Sequence, residues 1–380
     1  MQEIKRSISV EGDLKSKSIL LLGPRQTGKT TLLQSQIHFD RSFNLLHADV
    51  YAQLAHDPSS LRKSLGADDK LIFVDEIQKL PSLMDEIHSM IEEKKIRFAL
   101  TGSSARKLRR AYTSLMGGRL RVRNLFPLVS NEIPNFDLNR LLLFGTLPSI
   151  YLSKDPSGDL RDYVGTYLKE EIAAEALARN IESFSRFLKV AAASNARQVN
   201  YESTGNDSQV PGRTVREYFD LLQDTLVGHL LHPIRIKNGR KTTTKPKFYF
   251  FDCGVASTLL GIQELDDKVY GDLFEQFLVN EVKAYLSYSR KLDDDSLRYW
   301  RTQRGEFEVD LIVAEDTAIE FKATQKVNAS DLRGLKALRE EYKLKNAFLV
   351  SRDIRSSLED KIQILSYRSF LEKLWNGEII

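Results

Sequence analysis

Gly23-Pro24-Arg25-Gln26-Thr27-Gly28-Lys29-Thr30 has the spacing G-x-x-x-x-G-K-[ST], and its neighbours decide how it is read. Ile19-Leu20-Leu21-Leu22 before it is an apolar run of strand length, and Thr31-Leu32-Leu33 after it opens a helix. The glycines let backbone N–H groups turn towards polyphosphate oxygens, and the helix N-terminus adds its positive dipole end. In a loop of this kind the residues from Gly23 to Thr31 line the phosphate chain. Lys29 reaches the β- and γ-phosphates, and the Thr30 hydroxyl holds Mg²⁺. Leu71-Ile72-Phe73-Val74-Asp75-Glu76 is a second apolar strand, ending in two carboxylates in the form of a Walker B. Asp75 is expected in the magnesium shell and Glu76 beside the attacking water. A glycine turn near an unrelated acidic strand end would not reproduce the order strand, loop, helix. The pattern predicts binding and hydrolysis of ATP.

The chain has 380 residues and a formal net charge of +4. Two or three domains are expected from that length, and so mild a charge leaves only local clusters to point to an acidic partner. Apolar residues make up 42% and charged residues 28%, which gives ample core and excludes wholesale disorder. Cys253 is the sole cysteine, so an intramolecular disulfide is excluded. No apolar run approaches the length of about eighteen residues that a membrane span needs, and Met1 to Lys17 lacks the apolar stretch of a secretion signal. The expectation is a soluble, cytoplasmic protein with no membrane partner.

Around the loop, Phe43 to Asp49 reads as a strand, Tyr51 to Leu65 as a helix, Leu83 to Glu93 as a helix and Arg97 to Ser103 as a strand. Strands alternating with helices imply a parallel sheet with ligands at the carboxyl ends of its strands. Ser103 is therefore expected between the ends of the two Walker strands as a sensor of the γ-phosphate, with a helix-capping turn as the alternative. From Arg106 to Arg123 the chain carries Arg106, Lys107, Arg109, Arg110, Arg119, Arg121 and Arg123 with no acidic residue. A solvated face is the default for such a run.

The stretches Gly23 to Thr30, Val74-Asp75-Glu76-Ile77-Gln78-Lys79-Leu80-Pro81, Leu100-Thr101-Gly102-Ser103-Ser104 and Leu125-Phe126-Pro127-Leu128 together resemble one group of bacterial and archaeal AAA-type ATPases. The resemblance covers nearly the whole chain. It implies an ATPase core over residues 1–135, a helical and winged-helix domain over 136–265, and a smaller α/β domain resembling PD-(D/E)xK nucleases over 266–380. It also implies a homo-oligomer, with a hexamer among the candidates, in which an arginine reaches a neighbour's γ-phosphate; Arg119, behind Gly117-Gly118, is the candidate.

In the middle region Leu160 to Leu177 and Ile181 to Ala193 read as helices. A polar turn from Asn195 to Gly212 leads to Thr214-Val215-Arg216-Glu217, a capping box. Arg235 to Lys247 follows as a basic hairpin, with Arg235, Lys237, Arg240, Lys241, Lys245 and Lys247 placed to neutralise DNA phosphates. Helix, turn, helix and basic hairpin form the pattern of a winged helix. A small protein-interaction module with a solvated hairpin is the alternative. Phe248 to Asp252 is a buried strand, and Cys253 beside it reads as a small core residue.

Gly271 to Phe277 starts an amphipathic helix, followed by strands at Leu297 to Arg301, Phe307 to Val313 and Thr317 to Ala323. A helix at Asp331 to Tyr342 and a strand at Ala347 to Val350 complete the order. Period two puts Glu320 and Lys322 on one strand face, where Asp310 can meet them. Two carboxylates and a lysine so placed can bind Mg²⁺ and orient water. The resemblance to the PD-(D/E)xK core adds Glu275 as the helix carboxylate. The preferred reading is an oligomeric ATPase acting on duplex or branched DNA as a motor or ATP-gated processing factor. The alternatives are an ATP-dependent regulatory or defence switch with an inert nuclease-like domain, and a metal-dependent DNA nuclease that senses nucleotide.

Overall fold

The computed structural model describes residues 4–104, 108, 118–168, 181–237, 239–291 and 296–380. These group into two compact units, divided near Pro127 and Leu128, with Asp224–Leu226 grouping with the first. Arg106, Lys107, Arg109 and Arg110 of the basic run lie outside the described residues, as does most of the second half of the helix expected from Leu160.

The first unit is a parallel sheet of five strands. Strand β1 (Ser18–Leu22) feeds the phosphate loop and helix α1 (Lys29–Gln36). There follow β2 (Arg41–Asn44), α2 (Ala48–His56), β3 (Leu71–Asp75), α3 (Leu83–Lys94), β4 (Arg97–Gly102) and β5 (Leu120–Asn124). The strand order is β2-β3-β4-β1-β5. Leu20, Leu22, Ile72, Val74, Phe98 and Leu100 from the strands meet Met84, Ile87 and Met90 of α3 in one buried core. Two expectations shift. The second strand ends at Asn44, because Asn44 Oδ1 accepts from the Leu46 N–H in a tight turn, and Ala48 and Asp49 already belong to α2. The end of the arginine run is β5, parallel to β1 with Ser18 beside Leu120. Arg119 therefore stands at the amino edge of the sheet, opposite the phosphate loop, and pairs with Glu92.

The second unit joins the middle and C-terminal regions. Helix α4 (Leu138–Phe144) is followed by α5 (Ile181–Ala193), β6 (Arg197–Gln198), α6 (Tyr201–Ser208), α7 (Gly212–Asp224), β7 (Gly228–Leu231), β8 (Lys247–Phe250) and α8 (Cys253–Leu260). The three strands form a small antiparallel sheet in the order β6-β8-β7. Where a polar turn was expected there is α6, capped by Asn200 Oδ1, which accepts from the N–H groups of Glu202 and Ser203. Helix α7 begins at Gly212, so Thr214 lies inside it rather than at a cap.

Helix α9 (Asp267–Ser289) leads into a sheet of six strands: β9 (Leu297–Arg301), β10 (Glu308–Val313), β11 (Thr317–Lys322), β12 (Asn346–Ser351), β13 (Ser357–Glu359) and β14 (Ile362–Ser366). Its order is β13-β14-β12-β11-β10-β9, with α10 (Arg333–Glu341) between β11 and β12 in sequence and α11 (Tyr367–Trp375) at the end. Polar side chains of α9 knit the two regions together: Gln276 and Asn280 both donate to the Phe250 carbonyl, and Asn195 donates to Gln276. Cys253 is buried beneath α9, as expected of a core residue. Among the described residues no helix is long and apolar enough to cross a membrane.

A close backbone approach in this unit is where α8 meets the end of α4. A Cβ on Gly254 would stand 2.3 Å from the Phe144 carbonyl carbon and oxygen and 2.7 Å from the Gly145 nitrogen. Backbone atoms cannot yield as a flexible side chain would. Gly254→Ala is expected to destabilise the second unit by about 1–3 kcal/mol or more, read as a lower thermal midpoint in calorimetry. An unchanged midpoint would show that α8 can slide.

Candidate functional site

The phosphate loop is held closed by its own backbone and one distant arginine. Gly28 caps α1 at φ 88°, a conformation that suits only a residue without a side chain. Thr27 Oγ1 donates to the Pro24 carbonyl at 2.8 Å, and Lys29 Nζ donates to the carbonyls of Gly23 at 2.8 Å and Pro24 at 3.0 Å. Arg6 donates to the Thr27 carbonyl at 2.7 Å and to the Phe126 carbonyl at 2.7 Å, fixing the loop against the segment after β5. Pro24 is buried, Arg25 half-buried, and Gln26 and Thr31 are exposed on the loop and the first turn of α1. Burial pulls the Lys29 ammonium down to about 8, against the attraction of Glu76 and Asp75.

Because β4 lies between β1 and β3, polar groups from three strand ends converge. Thr30 Oγ1 donates to Asp75, 3.0 Å from both carboxylate oxygens, and Thr101 Oγ1 donates to Asp75 Oδ1. The Thr101 hydroxyl also accepts from the Glu76 N–H at 3.0 Å. Gln78 Nε2 donates to Glu76 Oε2 and, at 2.9 Å, to Ser103 Oγ, so Ser103 joins the carboxylate through an amide. Glu76 sits at φ 59°, a left-handed backbone that a non-glycine residue adopts only under constraint. Burial raises Asp75 above the usual carboxylate range despite the two hydroxyls. The hydroxyl of Thr30 beside the Asp75 carboxylate is a hard-oxygen pair that fits Mg²⁺. The sequence reading brought Lys29, Thr30, Asp75, Glu76 and Ser103 to one place, as the structure does, and missed Arg6, Gln78 and Thr101. Thr101 and Gln78 lie within the stretches that carry the family resemblance, two residues from Ser103 and Glu76, but their spacing alone assigns them no role.

A second cluster lies in the other unit, in a cavity of about 450 Å³. Asp310 on β10 and Glu320 on β11 face each other across the antiparallel register set by Leu311 and Ile319. Glu275 from α9 joins them, and Lys322 Nζ lies 2.5 Å from Glu320 Oε1. The set expected from sequence is thus brought together. What it surrounds was not expected. Lys247, read as a residue of an exposed basic hairpin, is buried here and bonds to Glu275, Glu308 and Asp310. Tyr249 Oη donates to Glu275 at 2.7 Å. Burial pushes Glu275 up to about 7, helped by the nearby Asp310 charge. Burial acts upward on Asp310 too, but the Lys247 and Lys322 ammoniums outweigh it and hold that carboxyl low. Among the described residues no group of three or more His, Cys, Asp or Glu side chains is placed to hold a metal ion. Of the expected ligands, Glu275 and Asp310 converge on the Lys247 ammonium instead, and Glu320 pairs with Lys322.

The rest of the basic segment also departs from a free hairpin. It runs along the edge of β9: the Ile234 N–H bonds to the Tyr299 carbonyl, the Thr243 N–H to the Arg301 carbonyl and the Gln303 N–H to the Lys241 carbonyl. Arg240 is taken up by Glu340 and Glu341 of α10 and its C-terminal end. Arg235, Lys237, Lys241 and Lys245 remain exposed and make no ion pair with a described residue.

Residues 15–134 match a family described as an AAA domain, and residues 135–266 and 270–370 match two families described only as domains of unknown function, DUF8612 and DUF4143. The uncharacterized proteins Mb2031c of Mycobacterium bovis and Rv2008c of Mycobacterium tuberculosis are each 28% identical over 309 residues, covering 78% of this chain and 67% of theirs. Among solved structures, the replication initiator DnaA bound to AMPPCP and single-stranded DNA aligns with 15% identity and a TM-score of 0.28, over 56% of this chain and 86% of that one. Can2 from Sulfobacillus thermosulfidooxidans in complex with cyclic tetra-adenylate aligns with 10% identity and a TM-score of 0.21, over 98% of this chain and 99% of that one. Scores so low transfer neither fold nor function. The AAA match and the parallel five-stranded sheet together support an AAA-type P-loop ATPase core in the first unit.

Two outcomes follow from this geometry. Lys29→Ala is expected to abolish nucleotide binding, whereas Glu76→Gln keeps it and slows hydrolysis by about 10²-fold or more; equal loss of binding of a fluorescent nucleotide in both variants would refute separate roles. The Lys29 ammonium is charged below about pH 8, so above that pH each binding event must take up a proton, and affinity is expected to fall by about tenfold per pH unit. Lys29→Arg, whose guanidinium does not titrate in this range, should bind more weakly but with a flat profile. A flat profile in the wild type would show that the ammonium stays charged through this range or does not meet the phosphates.

Proposed function

We propose that this chain is an AAA-type ATPase that binds ATP with Mg²⁺, hydrolyses it, and couples the nucleotide state to contacts with duplex or branched DNA. The observation that carries the ATPase reading is the hydrogen-bonded link from Thr30 through Asp75 and Thr101 to Glu76, which joins the phosphate loop to the candidate base. Lys29 exchanges the Gly23 and Pro24 carbonyls for phosphate oxygens, which restores its charge partner. Thr30 and Asp75 would hold Mg²⁺, which would supply charge neutralisation across the phosphates. Gln78 fixes the Glu76 carboxylate towards the space beside Ser103, where it accepts a proton from the attacking water. In a homo-oligomer an arginine of a neighbouring subunit would complete the site. Arg119 could serve only after leaving Glu92.

DNA binding is supported by the order helix, strand, two helices, two strands from α5 to β8, which is that of a winged helix, and by the four exposed cations between β7 and β8. These would hold phosphates without reading sequence. The Lys247 ammonium inside the carboxylate cluster favours the ATP-dependent switch over the nuclease as the second reading.

Replacing Arg235, Lys237, Lys241 and Lys245 together with Ala tests the DNA arm. Affinity for all duplexes is expected to fall alike, and the slope of log affinity against log salt to flatten by about 0.9 for each phosphate no longer neutralised. Fluorescence anisotropy with linear, forked and four-way DNA at several salt concentrations reads both. Unchanged affinity and slope would reduce the segment to a solvated cover of β9.

A further inference from the structure

The cavity of the second unit carries a cation of its own. Lys247 Nζ lies 2.6 Å from Glu308 Oε1, 2.8 Å from Glu275 Oε1 and 3.0 Å from Asp310 Oδ1. An ammonium has three donors, so these three acceptors saturate it. The side chain is only 3% exposed, and its nitrogen sits 5.5 Å from the centroid of the Tyr299 ring. Its origin cannot slide, because Lys247 pairs with Gln198 on one side and Leu231 on the other in the small sheet. Period two along β8 turns Tyr249 to the same side, where its hydroxyl adds a further bond to Glu275. Opposite, Glu320 Oε2 is buried and has no hydrogen-bond partner.

A Mg²⁺ or Mn²⁺ ion drawn to Glu275 and Asp310 would need their oxygens at about 2.0–2.2 Å. Lys247 already stands at the point where those oxygens converge, and two cations cannot occupy it together. We propose that Lys247 is the resident cation of this pocket, standing where a nuclease-like site would carry a divalent metal, so that the wild-type C-terminal region takes up no Mg²⁺ or Mn²⁺. The carboxylates then bind β8 to β10 and α9 as an ionic joint around one ammonium. The inference is independent of the ATPase reading, because it concerns only the second unit.

The test is uptake of Mn²⁺ by the nucleotide-free, full-length protein, followed by electron paramagnetic resonance. Wild type is expected to show no saturable site that depends on Asp310. Lys247→Met keeps most of the stem without the charge; it is expected to gain one Mn²⁺ per chain, and Lys247→Met with Asp310→Asn to lose it again. Two results overturn the proposal: a saturable Mn²⁺ site in wild type that disappears in Asp310→Asn, or a folded Lys247→Met that takes up none. If Lys247→Met does not fold, thermal melting of wild type decides. A midpoint raised by Mn²⁺ over EDTA, with the rise lost in Asp310→Asn, overturns it, and no such rise supports it.

Discussion

Asp75 is the joint on which the first unit depends. At the end of β3 it accepts from the Thr30 hydroxyl at the start of α1, and β4, which lies between β3 and β1, supplies Thr101 as a second donor. Loss of the Thr101 hydroxyl would leave a buried charge with one donor fewer, at a cost of about 1–3 kcal/mol. The same hydroxyl holds the Glu76 backbone in its left-handed turn, so the candidate base is aimed by the group that steadies the Asp75 carboxylate.

In the second unit a buried charge does comparable work by other means. Lys247, Glu275, Glu308 and Asp310 come from three separate elements, and each would be costly to bury alone. Together they fix how the small sheet meets the larger one. Lys322 is paired with Glu320 and about a third exposed, so solvent reaches it as it does not reach Lys247.

The phosphate loop, the Walker strands and the triplet Asp310, Glu320 and Lys322 were legible because each rests on local spacing within a strand or turn. Glu275 came only through resemblance, yet it arrives at the same cluster. What escaped depends on long-range packing. Strand β5 looked like a run of charge because its arginines alternate with apolar residues over only five positions. Helix α6 has almost no large apolar residue; it packs through Thr204, Gly205 and Ser208, and periodicity cannot see a face made of small groups. Lys247 has the same side chain as its exposed neighbours in sequence, and only the fold distinguishes a wing from a counterion. The segment from Arg235 onward was read as a hairpin because basic, turn-forming residues lay between two strands, and the partner it binds, β9, lies about sixty residues later.

That segment has a consequence for how the edge of the larger sheet meets other molecules. A sheet of six strands has two open margins, and unpaired N–H and C=O groups there recruit strands from other molecules. Along β9 the groups of Tyr299 and Arg301 are already paired with the passing loop. Shortening the connection between β7 and β8 to a two-residue turn would leave the small sheet intact while stripping this cover. Its length is therefore set by the neighbouring sheet it shields, and trimming it would turn a self-contained edge into an adhesive one.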